Sequence, residues 1–86
     1  MHAALKADRA VALAAHVLAV ELVCACQALD LLAPLTSSAP LMQVHARVRA
    51  VVPPLTADRP PAPDLDAARR LIADGTVEYA CGLVVN

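Results

Sequence analysis

The chain has 86 residues, a mass of 8.9 kDa and a net charge of −1, with 59% hydrophobic and 17% charged residues. This length excludes a multi-domain protein, and the lack of a basic face excludes an ordinary nucleic-acid-binding module. Twenty Ala, 13 Leu and 11 Val supply most of the hydrophobic residues, whereas Tyr79 is the only aromatic one. A folded monomer of this size buries roughly 60 to 65% of its extended surface. The chain is therefore too apolar to stay open in water and too poor in bulky side chains to build a large core alone.

The first third of the chain predicts one long helix over residues 1–33. Between Ala3 and Leu32 there is no Gly or Pro, and the good helix formers Ala and Leu dominate. His16, Glu21 and Gln27 are among its few polar residues, so it has no wide polar face. A helix that is apolar nearly all round lies either inside a larger protein or in a bilayer.

The bilayer alternative depends on Ala10 to Ala28, which is close to the roughly 20 residues that a membrane span needs. His16, Glu21 and Gln27 lie inside this segment, and an acidic side chain there costs several kcal/mol on insertion scales. Aromatic belts and a strong basic flank are missing as well. We therefore expect a helix buried in protein, no signal peptide, and a cytoplasmic location.

Residues 34–52 predict a second, amphipathic helix. Hydroxyl side chains before it can cap its start, and Pro40 is acceptable in its first turn. Its apolar positions recur at helical spacing and its polar positions fall opposite. The apolar stripe is Leu41, Val44, Val48 and Val51 or Val52, and the outward positions are Gln43, Arg47 and Ala50.

Residues 53–63 contain five of the seven prolines and predict an extended connector. As a bare pattern this segment could be a polyproline ligand, but a stiff connector lying over the helices is the favoured interpretation. Asp64 is then expected to cap a short third helix over 64–75, with Gly75 at its end. The tail 76–86 is compatible with a short strand, a frayed helix or disorder.

The titratable and nucleophilic side chains predict structural roles. Cys24 and Cys26 point about 200° apart on a helix, so they cannot pair with each other. All three cysteines are expected to be reduced and buried, where they act as small hydrophobic side chains. His16 and His45 are expected to pack or hydrogen-bond between helices. Glu21 is expected in a structural salt bridge or hydrogen bond, for example with an Arg of another helix, and Asp58–Arg59 in a local ion pair.

No motif in the chain indicates an activity by itself. Phosphate loops, metal-ligand spacings and a nucleophile elbow are all missing from the 86 residues. We predict no catalytic, cofactor-binding or metal-binding residue. The predicted interface residues, which serve a structural purpose, are His16, Val20, Glu21 and Gln27.

Three strings, in this order, resemble the C-terminal region of the aromatic amino acid ammonia-lyases, and the histidine ammonia-lyase branch above all. They are VLAVELVCACQALDL from Val17, VHARVRAVVP from Val44, and DRPPAPDLDAA from Asp58. Each string alone is a weak signal, because helices rich in Ala and Leu resemble one another. The ordered set is more specific and covers roughly Ala3 to Gly75.

The resemblance implies a fragment of an all-α homotetramer in which long helices of four subunits form a central bundle. It further implies non-oxidative elimination of ammonia, for instance from histidine to give urocanate, by a methylidene-imidazolone group formed from Ala-Ser-Gly. That tripeptide is not in this chain, and the family's catalytic residues lie upstream of the matching region. The expected partners are further copies or an upstream lyase fragment, with no nucleic acid, metal or cofactor bound by this chain. A non-enzymatic helical scaffold and, less favoured, a small membrane-associated helix remain as alternatives.

Overall fold

A computed structural model describes residues 2–82 of the chain. Over this range it contains four helices and no strand: α1 (His2–Leu31), α2 (Ala39–Arg49), α3 (Ala62–Ala73) and α4 (Thr76–Ala80). The all-α prediction is therefore confirmed for the described part. Of the tail that sequence left open, 76–80 is a helix, and 83–86 lies outside the described residues.

Helix α1 is long enough to extend well beyond the rest of the chain. Its 30 residues span about 45 Å at 1.5 Å per residue, and the longest dimension of the whole structure is 51 Å. Every residue from Ala3 to Ala14 is exposed, and burial begins only at Ala15 and Ala19. The C-terminal half of α1 alone is therefore covered by the other helices.

Helix α2 starts where the sequence predicts, but without a side-chain cap. Ser38 occupies the N-cap position with an extended backbone, and its hydroxyl makes no capping hydrogen bond. The first backbone hydrogen bond of the helix is donated by the Met42 N–H to the Ser38 carbonyl at 2.9 Å. After Arg49 the chain closes in a tight turn, in which the Val52 N–H donates to the Val48 carbonyl at 2.7 Å.

Helix α3 starts earlier than the sequence suggested, so the prediction that Asp64 caps it is wrong. The N-cap is Pro61, and Pro63 lies in the first turn, where a missing N–H costs nothing. Asp64 is instead inside the first turn, near the positive end of the helix dipole. The helix ends at Ala73, and Gly75 follows with a φ of 82°, a left-handed conformation that favours glycine.

The core forms where α1, α2 and α3 meet. Val48, Val52, Val44 and Cys26 form its buried centre, and the side chains packed around them are Leu22, Ala67, Leu71, Val77, Ala80 and Cys81. The predicted stripe is thus confirmed at Val44, Val48 and the alternative Val52, and wrong at Leu41. Leu41 is 53% and Val51 is 49% exposed, because only the central turns of α2 face the other helices.

Helices α1 and α3 make the most extensive helix pair. Ala19 on α1 and Ala68 on α3 are fully buried. Methyl side chains at such positions let two backbones approach closely, which explains how a chain without large aromatic residues still closes a small core. That core buries only one side of α1.

Candidate interface helix

Helix α1 carries more than half of the large hydrophobic side chains that are exposed among the described residues. Its large aliphatic side chains are between 37% and 77% exposed: Leu5, Val11, Leu13, Val17, Leu18, Val20 and Leu31. Single exposed aliphatic residues are ordinary in soluble proteins, but a contiguous set along one helix marks a surface that contacts something apolar.

The four predicted interface residues lie on or beside this surface. His16, Val20 and Glu21 are exposed in the chain. Gln27 is half-buried, and its side-chain oxygen accepts a hydrogen bond from the Leu55 N–H at 3.3 Å. Gln27 therefore holds the connector against α1, whereas contact of the other three with a second chain stays a prediction.

None of the described ion pairs includes Glu21, so the salt bridge or hydrogen bond predicted for it stays a prediction. Asp30, the last residue but one of α1, is the acid that joins α1 to α2. His45 Nε2 lies 2.7 Å from one Asp30 carboxylate oxygen, and Arg49 donates from Nε and Nη2 to the other at 2.9 and 2.6 Å. Asp30 rather than Glu21 has this place because Glu21 lies on the side of α1 that faces away from α2. The prediction that His45 hydrogen-bonds between helices is confirmed.

Arg49 has a further role at the end of α2. Its Nη1 donates to the Val52 carbonyl at 2.9 Å, so one guanidinium joins α1, α2 and the turn that follows. The side chain of Arg49 is only 12% exposed and that of Asp30 is 28% exposed. A planar, bidentate guanidinium suits such a partly buried carboxylate better than an ammonium would.

The electrostatics of this junction favour the ionised form of Asp30. Partial burial by itself raises the pKa of the Asp30 carboxyl, but the hydrogen bonds from His45 and Arg49 and their charges outweigh it. The net effect lowers the pKa of Asp30 below its usual value. The junction is therefore fully formed near neutral pH and weakens in acid.

A second cluster holds the connector, and it differs from the predicted Asp58–Arg59 pair. Arg59 Nε donates to Asp64 at 2.8 Å, and its two terminal nitrogens donate to the carbonyls of Pro53 and Pro54. Arg59 thus fixes both ends of the proline-rich segment. The connector folds back on itself as a structural loop, which agrees with the favoured interpretation over a free polyproline ligand.

The cysteines match the sequence prediction only in part. All three are free thiols; Cys26 is buried and Cys81 is half-buried, but Cys24 is exposed. Burial raises the pKa of the Cys26 thiol, although Arg49 opposes this effect. Cys24 faces outward because it lies two residues from Cys26, on the other side of α1.

A small cleft separates α1 from the connector. It has a volume of about 180 Å³ and is lined largely by apolar atoms of residues such as Val23, Leu55 and Leu65. Ligand pockets are usually about 300 to 1,000 Å³. Its charged members, Arg49, Arg59 and Asp64, are already paired with groups of the chain, so the cleft offers no set of convergent, available groups for chemistry.

Within residues 2–82 no three His, Cys, Asp or Glu side chains converge as metal ligands would. Ala3–Leu31 is long and apolar enough to cross a membrane, and only 11% of its most apolar window is buried. Length and composition are weak evidence, because the core helix of an oligomeric soluble protein passes the same test. The structure therefore shows a candidate interface and no candidate catalytic centre among its described residues.

Comparison with known proteins identifies the family. The family model described as aromatic amino acid lyase matches residues 1–50, which is more than half of the chain. The chain belongs to this family. The resemblance of the Val17 and Val44 strings to the lyases is thereby confirmed.

Individual relatives of this lyase-family chain point to one branch. It is 48% identical over 75 residues to a histidine ammonia-lyase of Mus musculus and 47% identical to that of Rattus norvegicus. The human histidine ammonia-lyase is 45% identical over the same length. Each alignment covers 87% of this chain and 11% of the relative. The chain therefore spans about a tenth of the length of these enzymes, and no solved structure gives a significant match.

The Asp30 junction of this lyase-family chain gives a prediction for stability against pH. We expect Asp30→Asn to lower the melting temperature at pH 7, since a neutral amide cannot replace the ionised acceptor. A lowered folded-state pKa means that the stabilisation is present above the unfolded pKa of about 3.9 and is lost as pH falls through the folded value. The difference between wild type and variant should therefore shrink as the pH falls below about 4.

Thermal unfolding followed by circular dichroism at several pH values measures this effect. Asp66→Asn is the matched control, because Asp66 pairs only with Arg69 of its own helix and both side chains are about half exposed. That variant should melt close to wild type throughout. Equal melting of Asp30→Asn and wild type at pH 7 would contradict the proposed contribution of the junction.

Proposed function

We propose that this chain is the C-terminal helical region of a histidine ammonia-lyase type of enzyme and that α1 supplies a helix to the core of its oligomer. The supporting observation is the combination of 45 to 48% identity to histidine ammonia-lyases with an apolar helix whose N-terminal half is covered by no other described part of the chain. Other subunits or an upstream segment would provide the missing burial. On this proposal the assembly is a cytoplasmic homotetramer.

The enzyme's chemistry, elimination of ammonia from histidine to give urocanate, would be performed by parts that these 86 residues do not contain. The methylidene-imidazolone group of the family needs an Ala-Ser-Gly precursor, and the chain has none. Its residues therefore do not fit that group, and no step of the reaction is assigned to them. The contribution of this region is to hold helices in place around an active site built elsewhere.

Two measurements test this proposal. The purified chain mixed with histidine should produce no urocanate absorbance, and turnover by the chain alone would contradict the inactive-fragment claim. Sedimentation at several concentrations should show self-association, and a well-folded monomer at every concentration would contradict the core role.

A complementation experiment tests whether the role belongs to a lyase. A mammalian histidine ammonia-lyase lacking its matching 75 residues should regain activity when co-expressed with this chain. The same chain carrying Val48→Asp, which removes the core, is the control and should restore nothing. Self-association without any restored activity would favour the second candidate, a non-enzymatic helical scaffold.

The membrane alternative has one observation in its favour, the length and apolar character of α1. Against it, the exposed surface of the same helix carries His16 and Glu21 near its middle. Partition into a detergent phase would support the membrane alternative. We expect the chain to remain in the aqueous phase.

A further inference from the structure

The exposed surface of α1 contains a regular seam. Taking alternate steps of three and four residues along the helix selects Ala3, Lys6, Ala10, Leu13, Val17, Val20, Cys24, Gln27 and Leu31. All of these residues are exposed except Gln27, which is half-buried. Seven of the nine are apolar or thiol side chains, and this spacing is the one that two helices use to pack along each other as a coiled coil. We call these nine residues the seam.

The chain's own core uses the opposite side of α1. Ala19 and Cys26 are buried and Leu22 is half-buried, and at 100° per residue they lie roughly 180° from the seam. The described residues therefore leave the seam open from Ala3 to Val20, whereas near its C-terminal end the connector lies beside it and Leu55 bonds to the half-buried Gln27. A partner helix can reach it without displacing α2 or α3.

Two charged positions beside the seam indicate the partner and its direction. In a parallel pair of helices, a residue i that directly precedes a seam position such as Val17 faces residue i+5 of the partner helix. His16 precedes Val17, and Glu21 is five residues later; both are exposed and Glu21 has no ion-pair partner within the described residues. Two parallel copies thus bring His16 of each against Glu21 of the other, twice. An antiparallel pair of similar overlap sets Glu21 against Ala14 and forms no such contact.

We propose that the seam of α1 binds the seam of a second copy of this chain in parallel and in register. This proposal rests on the proposed function in placing α1 in an oligomer, and adds which face is used and in which direction. Each seam residue then meets its own counterpart. The Gln27 amides donate to one another because each keeps free N–H groups, and the Lys6 ammonium groups at the open end extend into water.

Cys24 makes the register measurable. Helices packed about 9 to 10 Å apart, with Cα atoms about 2.3 Å from each axis, leave facing Cα atoms about 4.5 to 5.5 Å apart. Disulfides form at about 4.4 to 6.8 Å. In a parallel pair the two Cys24 residues face each other, so mild oxidation with diamide should give a covalent dimer. Cys81→Ser serves as the background, which leaves the buried Cys26 as the only other thiol.

The matched control moves the thiol by one residue. In the same background, Cys24→Ser with Ala25→Cys places an exposed thiol beside the seam, and we expect at least tenfold less cross-linked dimer. A second mixture combines the Cys24 chain with a chain carrying Leu13→Cys and Cys24→Ser, the pair that an antiparallel arrangement brings together. Cross-linking between positions 13 and 24 without a 24–24 product would overturn the parallel register while leaving the oligomer intact.

A charge exchange tests the pairing itself. His16→Glu sets two carboxylates against each other at both contacts, and we expect the dissociation constant of the dimer to rise about tenfold. Adding Glu21→Lys restores opposite charges and should recover most of the loss. No recovery would overturn the parallel pairing. If the wild-type chain sedimented as a monomer at all concentrations, both this inference and the oligomer-core role would be overturned. If it sedimented as an oligomer but failed the cross-linking and charge-exchange tests, only the parallel register would be wrong.

Discussion

Val48→Asp is expected to abolish stable folding of the chain. Val48 is fully buried at the centre of the cluster formed with Cys26, Val44 and Val52. A carboxylate placed there has no cation or donor within the cluster, and burying it costs about 4 kcal/mol or more. Domains of this size have about 5 to 10 kcal/mol in total. Urea or thermal unfolding followed by circular dichroism should therefore show little or no cooperative transition.

Two further variants, one at the same position and one on the opposite side of α2, serve as controls for Val48→Asp. Val48→Ala removes only methyl groups and should cost about 2 kcal/mol, which keeps a measurable transition. Ala46→Asp introduces the same carboxylate on the exposed side of the same helix and should stay within about 0.5 kcal/mol of wild type. If Val48→Asp unfolded like Ala46→Asp, the core would not be centred on Val48.

The elements that sequence predicts well are those fixed by local rules. The absence of Gly and Pro from Ala3 to Leu32 defines α1, and the spacing of Val44, Val48 and Val52 defines the buried face of α2. Both depend on intrinsic propensity and on a 3.6-residue period, which act within one helix. They require no knowledge of which other segment lies nearby.

The wrong predictions concern local choices, such as which residue caps a helix or which side chain is buried, and the contacts that sequence missed join residues distant in the chain. Asp30 bonds to residues 15 and 19 positions away, and nothing local distinguishes it from Glu21. Arg59 selects Asp64 over the adjacent Asp58 because the connector turns back toward α3. A signal for the Asp30 junction was available, since His45 and Arg49 lie four apart on one face of α2, where two donors can reach one acid.

The composition explains why the helix that is easiest to predict is also the least covered. Ala and Val build a core from close backbone approach, as at Ala19 and Ala68, and this buries the C-terminal half of α1 only. The N-terminal half keeps an apolar surface against which no bulky group of residues 2–82 packs. A small core that leaves one long apolar helix exposed is the structure expected of a region that completes its burial in an assembly.

Val20→Asp separates burial in an assembly from burial in the chain. Val20 is 37% exposed in the single chain, so the substitution should change monomer stability by no more than about 0.5 kcal/mol. In the proposed oligomer Val20 is a seam residue that meets its counterpart, and two unpaired carboxylates there should cost about 3 kcal/mol or more. We therefore expect the dissociation constant to rise by roughly a hundredfold.

Sedimentation velocity over a range of concentrations measures that change, with melting of the dilute chain recorded in parallel. Leu18→Asp is the matched control, since Leu18 is 50% exposed on the same helix but lies outside the seam. A loss of association confined to Val20→Asp identifies the seam as the contact surface. A loss in both variants indicates that more than one face of α1 is covered, as in a four-helix bundle. Unchanged mass and melting in Val20→Asp would show that α1 is not buried in any assembly, because a carboxylate in a covered apolar seam cannot be neutral in free energy.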